Sequence, residues 1–181
     1  MIRTLFWLGL LFTSVTLMST PAPCLATTMR YKSIRELVRG SDVTLLGQPV
    51  AQQSFWQGTR ILTRVQVQVQ EIWTGSAPPS SVVEVVTAGG VVGTIGQRVD
   101  GAAVLPHGNQ MVLHLRRQDG EYWPVAMAQG VWVIDKTPQG SRLFRPGADR
   151  LVHGLRHGQH KEPSTLAELR AAVMEASHDA D

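Results

Sequence analysis

Cysteine is almost absent from this 181-residue chain, and the single one, Cys24, lies in a stretch expected to be removed. Met1 to Arg3 carry the amino terminus and one basic side chain. Leu5 to Met18 form an apolar run broken only by Gly9, Thr13, Ser14 and Thr16, and Pro21 and Pro23 lead into Cys24-Leu25-Ala26. Small residues two apart, at Cys24 and Ala26, suit a signal peptidase, which makes residues 1–26 a signal peptide and places the cut before Thr27. The run is shorter than the ~20 residues that span a bilayer, so a cleaved signal is expected rather than a lasting membrane anchor. Lipidation of Cys24 would want leucine and a small residue where Pro21 and Pro23 stand. The mature chain then lacks cysteine, which excludes disulfides and thiolate chemistry whatever the redox state outside the cytoplasm.

Charge is scarce as well. Charged residues are 17% of the chain and the net charge is +3, too small an excess to point to nucleic acid. There is no internal repeat and no low-complexity tract. Reaction signatures are missing too: no Gly-x-Ser-x-Gly elbow, no His-Glu-x-x-His helix and no phosphate loop ending in Lys-Ser/Thr. A mature chain of ordinary single-domain length needs no metal or disulfide staple, because burial alone suffices at that size.

Glycine, by contrast, is plentiful at 17 residues, with 10 prolines, and both favour turns over long helices. Between Arg60 and Trp73, Val65, Val67 and Val69 alternate with Gln66, Gln68 and Gln70. Period 2 would scatter valines around a helix, so this is a half-buried antiparallel strand. Further strands are expected at 42–50, 82–86, 110–117, 121–128, 131–134 and 141–144. A turn is expected at 54–58, and Asp119-Gly120 is a preferred hairpin pair. Ser33 with Glu36 forms a capping box opening a short helix to Arg39, and Thr165 with Glu168 opens a second one to Ala176. The second helix has a narrow stripe of Leu166, Leu169 and Val173, suited to weak docking or to a partner.

The predicted fold is therefore mostly β, a small antiparallel barrel of OB-like type or a sandwich, with a short N-terminal helix and a C-terminal helix. The expected divisions are 1–26 signal peptide, 27–145 barrel domain with its leading helix, 146–164 polar linker, and 165–181 C-terminal helix and tail.

The order of features also resembles a group of uncharacterised secreted bacterial proteins, some of whose domains sit beside metalloproteases. The residues that carry the likeness are Leu37-Val38-Arg39-Gly40-Ser41-Asp42-Val43, Gly47, Glu71-Ile72-Trp73-Thr74-Gly75 and Gly89-Gly90. Pro106-His107-Gly108-Asn109-Gln110 before Met111-Val112-Leu113, and Gln129-Gly130 before Val131, complete it across about residues 33–135. More distantly, the layout is similar to the netrin-like domain of tissue inhibitors of metalloproteinases, an OB-type barrel. That likeness implies the barrel. It does not extend to the inhibitory mechanism, which needs an amino-terminal cysteine on the protease zinc.

Candidate chemistry is sparse. His153, His157 and His160 lie close together and are the candidate metal ligands. Gly154 and Gly158 oppose the helix that would align the first two, and solvated linker histidines are the plainer reading. His114 alternates with Val112 and Arg116, opposite Met111, Leu113 and Leu115, and reads as structural or exposed rather than catalytic. Gly89 to Gly96 reads as a bulged strand or barrel corner. Arg142, Arg145, Arg150, Arg156 and Lys161 read as a solvated basic linker. Phe55 and Trp56 are the candidate binding residues, two large apolar groups in an expected turn. A loop folded over the barrel end would explain them equally. The expectation is a periplasmic or secreted binding module for a protein or cell-envelope component, without cofactor or nucleic acid. The alternatives are an extracytoplasmic metal-dependent hydrolase using histidines and a protease inhibitor or companion.

Overall fold

The alternation of valine and glutamine governs the architecture. In the computed structural model, which describes residues 29–76, 80–137, 140–146, 152–153 and 162–179, that stretch is the long strand β3 (Arg60–Gly75). Val65 and Val67 are buried and Gln66 and Gln70 exposed, as period 2 requires. The expected signal peptide lies outside the described residues. The chain enters through β1 (Met29–Arg30) and α1 (Ile34–Arg39), whose N-cap Ser33 and Glu36 form the predicted capping box. Strand β2 (Val43–Gln57) follows and pairs with β3 along its whole length. The turn is confined to Gly58 and Thr59, with Gly58 at φ 58°, so the turn expected at 54–58 is instead mostly strand. Strand β4 (Val82–Ala88) pairs back on β3. The glycine-spaced segment then forms a small hairpin of β5 (Gly90–Val92) and β6 (Ile95–Gln97).

Strand β7 (Gln110–Gln118) turns at Asp119-Gly120, with φ 52° and 87°, into β8 (Glu121–Pro124). Both positive angles fit the hairpin that the residue pair announces. A 3-10 turn at Met127–Gly130 leads to β9 (Val131–Thr137) and β10 (Gly140–Phe144). Inside the expected linker, β11 (Val152–His153) pairs in parallel with β1. Helix α2 (Leu166–His178) ends the described chain, and no helix among the described residues is long and apolar enough to cross a membrane.

One seven-stranded sheet runs β10-β9-β7-β2-β3-β4-β8, and β8 pairs back on β7. Five strands therefore close a ring, β2-β3-β4-β8-β7. All its contacts are antiparallel except β4 with β8, which is parallel at Val85 and Tyr122. A Greek-key ring of five strands is the OB-like arrangement. Strand β7 is forked: residues 110–113 pair with β9 and residues 115–118 with β8. The protein is thus mostly β and barrel-like, with a short helix near its N-terminus and another at its C-terminus.

Two hydrophobic cores result. Val43, Leu45, Val65, Val67, Val85, Leu113 and Leu115, among others, fill the ring. On the outer wall, Val38, Trp73, Val112 and Trp132 meet Leu169, Val173 and Ala176 of α2. The narrow stripe of α2 is accordingly docked, and Arg35 to Asp179 at 2.7 Å ties the two helices together.

Candidate functional site

The fork in β7 holds a histidine that the sequence already placed within a strand. His114 sits between the two pairings, and its carbonyl accepts from Val125 N at 2.9 Å. The side chain is fully buried. Its Nδ1 lies 3.0 Å from Thr44 Oγ1, which is 3.4 Å from Ser41 Oγ, and that hydroxyl donates to the Val38 carbonyl at 2.8 Å. Burial, helped by the positive charge of Arg145, pushes the imidazole down to about 3. Its Nε2 is buried without a hydrogen-bond partner among the described residues. A neutral imidazole walled off in this way offers no nitrogen to a substrate, so His114 is a structural group joining β2 to β7.

Arg145 departs from the sequence reading. Grouped there with solvated linker cations, it is 7% exposed, with its guanidinium carbon 3.9 Å from the Trp132 ring centroid and 5.7 Å from that of Tyr31. Nη1 donates to the Lys32 carbonyl at 3.4 Å, and Nη2 lies 3.4 Å from Glu162. Burial draws its pKa down, while Glu162 and Tyr31 act against that. Buried Gln129 fastens the same corner, accepting from Lys32 N at 2.7 Å and donating to the Arg30 carbonyl at 2.9 Å. Arg145 and Gln129 thereby bind the entry strand to the far end of the sheet. Composition carried no sign of this, because both residue types usually lie at the surface.

Phe55 and Trp56 are strand residues, and consecutive strand residues face opposite ways. They do not form one patch. Phe55 pairs with Leu62, and Arg64 sits over its ring at 4.8 Å. Trp56 pairs with buried Ile61 and remains 46% exposed. On the Trp56 side the β5–β6 hairpin crosses the arm: Val91 N donates to Ser54 Oγ at 3.3 Å, and Ile61 N to Gln97 Oε1 at 2.6 Å. Gly90, at φ 139°, is needed there, since a Cβ would come within 2.4 Å of Ser54 Oγ and Thr63 Oγ1.

Beside that hairpin opens the larger of two notable cavities, a cleft of about 900 Å³. Its walls include Val91 of β5, Val104 and the Phe144-Arg145-Pro146 end of β10. Val91, Val104 and Phe144 are 65%, 58% and 37% exposed. Three large apolar side chains thus share one opening while otherwise glycine and alanine line much of it.

The second cavity, about 390 Å³, is lined by Arg64, Glu84, Val86, Arg117, Glu121 and Tyr122, with Ser76 and Gly120. Arg64 is its centre, with Nη2 2.6 Å from Glu121 and Nε 3.6 Å from Glu84. In OB-type barrels the face of the second and third strands, with the turns at its ends, is the surface that takes oligonucleotides and oligosaccharides. Here those strands are β3 and β4.

Of the candidate metal ligands, His153 lies in β11, an extended segment, and His157 and His160 fall outside the described residues. Among the described residues no three His, Cys, Asp or Glu side chains converge to hold an ion. His107 is exposed, with Nε2 3.0 Å from the Val50 carbonyl. Compared with models of known protein families and with curated proteins, the sequence matches none.

Proposed function

We propose that this chain is an exported, non-enzymatic binding module for a protein or cell-envelope component, released after residue 26. The observation that supports it most is the 900 Å³ cleft, where Val91, Val104 and Phe144 stand exposed together. A cleft of this size, mostly apolar with a few polar groups, is the usual form of a binding site. Apolar side chains gathered at one opening also cost solubility unless something covers them. Trp56, on the neighbouring arm, extends the same surface in this reading. The leader fits export, with its basic start, apolar run and small residues at Cys24 and Ala26.

A photo-crosslinking residue placed at 91 or 104 in the producing cell should give discrete adducts. The same residue at 174, on the outer side of α2, should not. Val104→Asp should reduce the adducts at 91 by about tenfold, a loss near 1.4 kcal/mol. The exported chain should begin at Thr27 by intact mass. Adducts of equal yield from all three positions would overturn the cleft as the site, and a chain retaining residues 1–26 in the cytoplasm would overturn export.

A further inference from the structure

Buried polar atoms that lack a partner are concentrated in one place. Among the described residues, every buried side-chain nitrogen or oxygen without a hydrogen bond belongs to His114, Trp132 or Arg145. They are Nε2 of the histidine, Nε1 of the tryptophan, and Nε and Nη2 of the arginine. All three residues are more than nine-tenths buried. Strand register puts them on one wall. Trp132 stands opposite Val112, and His114 is two residues further along that strand, which makes it a diagonal neighbour of Trp132. The Arg145 guanidinium lies over the Trp132 ring at 3.9 Å, and its charge acts on the imidazole. Buried polar groups are as a rule paired with protein or with ordered water, so three such orphans side by side require a partner.

The roles of these atoms follow from their chemistry. Indole Nε1 and arginine Nε only donate. On the histidine the hydroxyl chain decides. Ser41 Oγ gives its one hydrogen to the Val38 carbonyl, so at the Ser41–Thr44 contact Thr44 is the donor. Thr44 Oγ1 must then accept from His114 Nδ1, which the network thereby assigns as the protonated nitrogen. A neutral imidazole in that tautomer carries a bare lone pair on Nε2. Two donors and one acceptor thus lie on one wall without bonding to each other.

We infer that these three residues hold one internal water molecule, which accepts from Trp132 Nε1 and Arg145 Nε and donates to His114 Nε2. Three hydrogen bonds are the usual number for a buried water. Only a molecule that both donates and accepts satisfies all three atoms. An anion such as chloride would take the two donors but meet the Nε2 lone pair, and Arg145 already has the Glu162 carboxylate 3.4 Å from Nη2. A metal cation would be repelled by the guanidinium. The water links the β7 fork to β9 and to the residue that follows β10, sealed from bulk solvent.

Nuclear magnetic resonance of the nitrogen-15-labelled protein tests both halves. At pH 7 the His114 ring should show a protonated-type shift at Nδ1 and an unprotonated, pyridine-type shift at Nε2. The Trp132 Nε1 proton should give a cross-relaxation peak to water while exchanging slowly with deuterated solvent. Thr44→Val, which removes the hydroxyl on the imidazole, should leave that peak in place. A high-resolution crystal structure should place one water within hydrogen-bond distance of all three nitrogens. A proton on Nε2 would overturn the inference, as would a Trp132 peak that is absent or is lost with the Thr44 hydroxyl. So would a saturable shift of the indole proton on titration with chloride, or electron density in which the three nitrogens bond to protein atoms only.

Discussion

His114 shows what can and cannot be inferred about one residue from its neighbours along the chain. Alternation assigned it correctly to the face of Val112 and opposite Leu113 and Leu115. It did not reveal that both faces are buried, because the cover on the Val112 side comes from Leu169, Val173 and Trp132, remote in sequence. The same gap explains Arg145, whose partners Tyr31 and Trp132 lie far along the chain. The histidine has a measurable consequence. Its folded pKa of about 3 lies below the ordinary 6.5, so the unfolded chain takes up the proton first. Its contribution is therefore whole above pH 6.5 and is lost as pH falls towards 3, at up to about 1.4 kcal/mol per unit. Glu36, held down to about 2 chiefly by the Ser33 backbone amide and then by Lys32, loses its contribution only below pH 4.5. Urea unfolding between pH 7 and 5 therefore reads the histidine. Stability should fall across that window in the wild type, and His114→Asn should flatten the slope. An unchanged slope would mean that the imidazole reaches water.

Elements were legible wherever the signal was local. The Ser33–Glu36 capping box, the Asp119-Gly120 turn and the Val65–Val69 alternation each lie within a few residues and appear as read. At α2, by contrast, Thr165 caps Glu168 N but the Glu168 carboxylate accepts from Ser164 N, so the second box is only half made. What failed was extent and docking. The β2–β3 arm runs through the expected turn because Gly58 and Thr59 suffice to reverse it, which moves Phe55 and Trp56 onto opposite sides. For α2, a stripe of three apolar residues is sparse for a helix facing water on all other sides. It docks because Trp73 and Trp132 supply broad apolar surface on the wall. Arg170 reinforces this through a hydrogen bond to Glu71, whose other carboxylate oxygen accepts from Trp73 Nε1 at 3.0 Å. Leu169 is fully buried in that contact, so Leu169→Ala should cost about 2–5 kcal/mol. The loss should appear as a lowered thermal midpoint and altered tryptophan emission. A change below ~0.5 kcal/mol would mean that the helix contributes little to the folded state.

Over the whole molecule, the barrel-like class followed from turn spacing, whereas ring closure did not, since a strand pattern does not say which strands meet last. The ring closes where β4 meets β8 at a single partner pair, Val85 with Tyr122, while β2 and β3 are paired from Val43 through Gly75. Closure is thus uneven: one side is a long continuous ladder and the other a narrow seam, beside which lie Arg64, Glu84 and Glu121. The two salt bridges from Arg64 to Glu84 on β4 and Glu121 on β8 span that seam with side chains where backbone pairing is thin. They are partly exposed, so each contributes little alone, on the order of 0–1 kcal/mol. Local opening should therefore begin there. In hydrogen exchange, amides of Tyr122 and its β8 neighbours should exchange at least tenfold faster than those of Val65 and Val67. Arg64→Leu should widen the difference without lowering protection in β2. Uniform protection around all five strands would show that the ring opens only as a unit, and that the seam is no weaker than the ladder opposite it.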